Sequence, residues 1–146
     1  MAAVSHSRQV AGDPIAIWTV LADFGGLHAW ADRVDHCCLL NSREPGIGLS
    51  RRVQSGRDTF VESITAFDPP RLLAYDISGV PSEFTASNRW DIGVHRDGHT
   101  AVTLTSAATV TARCLPTGAE RVFAHLVAHR SKYLLDALDR TLRENP

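Results

Sequence analysis

The sequence predicts an α+β domain: a curved antiparallel sheet of about seven strands around a long C-terminal helix, with two short helices after the first strand. Three observations predict it. Turn residues punctuate the middle of the chain at regular intervals, leaving short segments of strand length. An apolar pattern of helical spacing follows Asp13-Pro14 near the N-terminus. The stretch from Ala119 to Arg143 contains neither Gly nor Pro.

The elements follow in order. Met1 to Val10 alternates weakly and stops before Gly12, as a first strand would. Asp13 offers a side-chain acceptor to the free amides of a first turn, and Pro14 suits the first helical position. Pro14, Ile17, Trp18, Leu21 and Phe24 then share one helical face, and Gly25-Gly26 interrupts it. A short second helix is expected over Leu27 to Asp32. Strands are expected over Asp35–Asn41, Leu49–Gln54, Thr59–Phe67, Leu72–Ser78, Ala86–His95 and Thr100–Thr111. The turns between them are Glu44 to Gly48, Gly56-Arg57-Asp58, Pro69-Pro70, the Gly79/Pro81 stretch and Asp97-Gly98. Thr117 and Glu120 match a capping box that opens one continuous helix to about Arg143. At 1.5 Å per residue it would be about 38 Å long. Its apolar stripe is read at Val122, Leu126, His129, Tyr133, Ala137 and Leu138. A stripe of that length needs a partner surface, which the sheet supplies.

Composition narrows the functional classes. The 146 residues suit one domain, 1–146, and 44% hydrophobic with 21% charged residues is a folded soluble composition. Fifteen Lys+Arg against 16 Asp+Glu give a formal net charge of −1, which argues against nucleic acid as a partner. The longest apolar run, Ile15 to Ala22, is too short to span a membrane, and Met1 to Val10 has no secretory character. The three cysteines form no CxxC pair, and adjacent Cys37 and Cys38 point to opposite sides of a strand. Reduced thiols and a cytoplasmic location are expected.

No catalytic signature is present. There is no GxSxG elbow, no HExxH and no glycine-rich phosphate loop. His125 and His129 lie four residues apart on the last helix, but no third ligand accompanies them, so no metal and no cofactor are expected.

Several patterns together resemble the START-like, or Bet v 1-like (SRPBCC), helix-grip superfamily, and within it the small bacterial polyketide cyclase/dehydrase-type proteins. They are Asp13-Pro14-Ile15 to Trp18, the run Phe24 to Trp30, Gly48 with Arg51, the segment Val61 to Pro70, and Tyr75-Asp76-Ile77. The resemblance covers the whole chain. It implies a cavity between the sheet and the long helix, with Arg51 and Glu62 pointing into it. Strand parity then turns Leu49 and Val53 inward with Arg51, and Phe60 and Ile64 inward with Glu62.

Two charges in a low-dielectric space must pair with each other or with a ligand. Arg51 could anchor a ligand oxygen, the pair could simply brace the sheet, or Arg51 could face solvent; Arg52, one residue on, would point outward, and a one-residue shift of register would exchange the two. Tyr75 could donate to a ligand carbonyl or pack as core. Trp30, Trp90 and Phe60 are candidate cavity walls and equally good core residues. His129 and Tyr133 could reach the cavity from the helix.

The expected function is binding, with possible transport, of a small hydrophobic ligand such as a lipid, fatty acid or polyketide. One alternative is a polyketide aromatase/cyclase, and whether the protein is an enzyme stays open. The other is a protein–protein interaction module or stress- or toxin-associated protein whose cavity is filled. A homodimer is compatible with either.

Overall fold

The computed structural model describes residues 1–112, 115–116 and 118–144. Seven strands form one antiparallel sheet: β1 (Ala2–Val10), β2 (His36–Leu39), β3 (Ser50–Ser55), β4 (Asp58–Asp68), β5 (Leu72–Ser78), β6 (Phe84–Val94) and β7 (Thr100–Val110). Their order across the sheet is β1-β7-β6-β5-β4-β3-β2. Every strand after β2 pairs with its sequence neighbour, so hairpins build the sheet, and β1 closes onto β7. A register shift between Ile64 and Ala66 bulges β4 and adds to the sheet's bend. Strand ends fall within about two residues of those expected, the usual ambiguity of fraying ends.

Between β1 and β2 the chain forms α1 (Pro14–Ala22) and a short 3-10 helix (Phe24–Ala29). Asp13 caps α1 by accepting the Ala16 amide at 2.8 Å. The second helix thus lies earlier than expected and absorbs Gly25 and Gly26. Gly26 sits in non-helical geometry, and a β-carbon there would collide with the Asp23 carboxylate. The Asp23 side chain could turn aside for a larger residue, and the pair that reads as an interruption becomes part of the helix.

The C-terminal helix is not continuous. It runs as α2 (Ala119–Ser131) and α3 (Tyr133–Glu144), separated at Lys132. There the Leu135 amide bonds to the Lys132 carbonyl at 3.1 Å, a tighter turn than the α-helix makes. Thr117 of the expected capping box lies outside the described residues. Gly118 caps α2 in the left-handed region, and Glu120 instead accepts the Val110 amide (2.8 Å) and the N-terminal amine (3.3 Å).

The two halves bury different faces. In α3 the large side chains Leu134, Leu135, Leu138 and Leu142 enter the core. In α2 the buried row is Ala124, Ala128 and Ser131, small residues that let the helix lie close to β7. The stripe expected at Val122 and Leu126 therefore turns to solvent, at 63% and 55% exposure. The core proper (Ile17, Leu21, Phe24, Ile64, Leu73, Trp90, Val102, Leu104, Leu138) fills the end of the sheet under α1 and α3. Asp139, 2% exposed, joins these parts by accepting from Arg8, Arg143 and the Ala11 amide. Burial opposes its ionisation, but those three donors outweigh it and hold its carboxyl below the usual aspartate value.

Candidate functional site

The other end of the sheet is not filled. Between it and α2 lies a cavity of about 460 Å³. Its floor is built by strand parity. Arg51 stands opposite Glu62 in the β3–β4 register, and Glu62 stands opposite Ile77 in the β4–β5 register. Leu49, Arg51 and Val53 are all buried, as are Glu62 and Ile64, which is the inward face expected from the alternation. Arg52 lies on the other face and is half-buried. Phe123, Leu126, Val127, Arg130 and Leu134 close the cavity from the helix side. The exposed lining residues Asp58, Pro81, Leu126, His129 and Arg130 mark its mouth.

Arg51 is 3% exposed and Glu62 8%. The Arg51 Nε donates to Glu62 Oε1 at 2.8 Å, and Nη2 lies 2.7 Å from the same oxygen. Nη1 donates to the Phe24 carbonyl at 3.0 Å. The guanidinium carbon sits 3.8 Å from the Phe24 ring centre and 5.0 Å from that of Tyr75. Burial lowers the Arg51 pKa, but Glu62 and Tyr75 more than offset this, so it ends above the ordinary arginine value. The two side chains face each other as a buried ion pair.

Tyr75 is the polar group best placed to meet a ligand. Its oxygen accepts from Trp90 Nε1 at 3.2 Å and from Asn88 Nδ2 at 3.5 Å. Asn88 is itself held by Ser106 Oγ (2.7 Å) and donates to Ser131 Oγ (3.2 Å) on α2. Both bonds at the phenol deliver protons to its oxygen. Among the described residues no side chain accepts the phenol's own proton, which leaves it for a molecule in the cavity.

Six of the eight expected site residues therefore line one cavity: Arg51, Glu62, Tyr75, Phe60, His129 and Tyr133. Trp30 and Trp90 do not. Trp90 is buried behind Tyr75, and Trp30 packs edge-on against it at 6.4 Å between ring centres. Sequence reasoning passed over Asn88, Ser106 and Ser131. Asn88 and Ser106 do share inward parity with Trp90 and Leu104, a signal that could have found them. Cys37 and Cys38 are free thiols on opposite faces of β2, and Cys114 lies outside the described residues. Among the described residues no group of three His, Cys, Asp or Glu side chains gathers in a metal-binding cluster, and no helix is long and apolar enough to cross a membrane.

The sequence matches the family model described as "Polyketide cyclase / dehydrase and lipid transport" over residues 1–143. The chain belongs to that family. Its fold is that of the START-like/Bet v 1-like superfamily, as solved structures bear out. A START superfamily protein from Mycobacterium smegmatis superposes with TM-score 0.75 at 15% identity, covering 99% of both chains. The Zhui aromatase/cyclase from Streptomyces sp. R1128 gives 0.76 at 20% identity, over 97% of this chain and 93% of that one. Ara h 8.0201 gives 0.76 at 14% identity over 99% of each. At these identities the likeness is one of fold. Comparison with the curated proteins finds no match. Family and fold together point to a hydrophobic-ligand-binding protein of this superfamily.

The two tyrosines of this family member give it an alkaline limit. Burial raises the Tyr75 pKa, with Glu62 adding to the rise and Arg51, Trp90 and Asn88 opposing it. Burial, with Asp32 adding, pushes Tyr133 up to about 12. Both folded values lie above the free phenol's, about 10. The stability gained by keeping these phenols neutral is complete below about pH 10 and is lost as pH rises through the folded values. A urea midpoint that holds level up to about pH 9.5 and then falls is expected. Tyr133→Phe should soften the fall, and a level midpoint up to about pH 12 would contradict this burial.

Proposed function

We propose that the protein binds a small hydrophobic ligand, such as a lipid, fatty acid or polyketide, in the cavity between α2 and the sheet. The observation that carries this is an unfilled, mostly apolar space of about 460 Å³ with a few convergent polar groups at its floor. That is the size and chemistry of a small-molecule site. Burial of apolar ligand surface supplies the affinity, at about 25 cal/mol per Å² before ordering costs. Because Glu62 neutralises Arg51, orientation falls to the Tyr75 proton, which suits a carbonyl or hydroxyl oxygen of the ligand. Phe60, His129 and Tyr133 shape the wall and mouth.

The test is a titration with two ligands of equal length, a long-chain methyl ketone and the matching alkane. The ketone should bind about fivefold more tightly, the worth of one neutral hydrogen bond. Tyr75→Phe should abolish that preference while retaining alkane binding. Failure of the wild-type protein to bind either compound would overturn the proposal.

A second reading is a polyketide aromatase/cyclase, favoured by the same free phenol proton beside a buried guanidinium. A poly-β-ketone folded in the cavity would bring its reacting carbons together, and Tyr75 would protonate or hydrogen-bond the developing enolate oxygen. Cyclised product formed from a synthetic poly-β-ketone by wild type and not by Tyr75→Phe would favour this reading; equal rates in both would dismiss it. An interaction module has less support, because it needs no open cavity.

A further inference from the structure

The outward face of α2 has a composition that neither the core nor the cavity explains. Arg121, His125, His129 and Lys132 form one row along the helix, and Val122, Leu126 and Arg130 form the adjacent row. All seven are exposed. Val122 and Leu126 are among the large apolar side chains most open to solvent, at 63% and 55% exposure. No Asp or Glu occurs between Arg121 and Lys132, a strip about 17 Å long. Asp58 meets Arg130 at 2.7 Å across the cavity mouth, and Asp136, paired with Arg8, follows Lys132 one turn further along. Leu126, His129 and Arg130 belong to both the strip and the mouth.

We infer that α2 is a docking face for an anionic lipid surface. Two isolated apolar side chains would anchor weakly by themselves. Arg121 and Lys132 beside them, with no acid between them in the chain, add attraction to phosphate headgroups. The long cationic side chains can lie along the interface while Val122 and Leu126 enter it. The mouth opens on this same face. If the cavity holds a lipid-like ligand, as proposed above, docking there lets the ligand pass between cavity and bilayer without crossing water. The charge complementarity and the shared mouth favour a lipid surface over a second copy of the chain, which would set like charges against each other.

The test is flotation with phosphatidylglycerol/phosphatidylcholine vesicles and with phosphatidylcholine vesicles alone, with no ligand added. The protein should float with the anionic vesicles, remain behind with the neutral ones, and detach in 1 M salt, where the Debye length falls to about 3 Å. The double variant Arg121→Glu/Val122→Asp should raise the lipid concentration needed for half-binding by about tenfold or more. Both positions are exposed and neither lines the cavity, so the melting temperature and the ketone titration should stay unchanged. Equal flotation with both vesicles, none with either, or an unaffected variant would overturn the inference. A wild-type dimer that the variant dissolves, without vesicle binding, would give the face to a second copy and also overturn it. Because flotation is read on the protein alone, its failure is separable from failure of the ligand titration.

Discussion

Replacing Glu62 with alanine is expected to destabilise the protein by about 3–5 kcal/mol, the typical cost of leaving a buried charge without its partner. Arg51, 3% exposed in the wild type, would keep its charge and hold only the Phe24 carbonyl and two ring faces. For a chain of this length that corresponds to a melting temperature about 10–16 °C lower. Removing both charges should behave differently. Arg51→Met/Glu62→Leu replaces the pair by apolar groups of similar size, and its stability should lie within about 1 kcal/mol of wild type or above it. A thermal or urea double-mutant cycle measures both. A Glu62→Ala cost below about 1 kcal/mol would show that the pair is solvated and the cavity floor wetter than described.

Filling the cavity should have the largest effect on binding. Val53 and Ile77 both line it, from β3 and β5. Val53→Phe/Ile77→Trp places added bulk in existing space, so the overpacking cost of a full core should be largely avoided. Excluding about 100 Å² of apolar ligand surface forfeits about 2.5 kcal/mol, nearly two orders of magnitude in Kd. Titration with a neutral apolar dye such as Nile red checks this: wild type should bind and the variant should bind nearly a hundredfold more weakly, with melting behaviour preserved. An unchanged Kd would move the site elsewhere on the molecule.

Much of the site was legible because strands alternate with a period of two. The family resemblance turns Arg51 and Glu62 inward, and alternation then carries Leu49 and Val53 with the one and Phe60 and Ile64 with the other; that Arg51 stands directly opposite Glu62 is a matter of register, which the structure supplies. The separation at Lys132 was not legible, since Ser131, Lys132 and Tyr133 contain no helix breaker and the turn tightens by a hydrogen-bond choice. The burial of α2 was misread for a related reason. Hydrophobicity selects Val122 and Leu126, but close approach to β7 selects the smaller Ala124 and Ala128. Trp30 and Trp90 show the same limit: parity says that Trp90 faces inward, and only the packing of Tyr75 in front of it decides that it does not touch the cavity.

Fold and family leave one central claim, that the cavity is a ligand site. The most direct measurement is mass spectrometry of the organic extract of wild-type protein and of Val53→Phe/Ile77→Trp, both purified from the native host. A stoichiometric small apolar molecule in the wild-type extract, absent from the filled variant, is the predicted result. The same molecule in both extracts, or none in either, would contradict it.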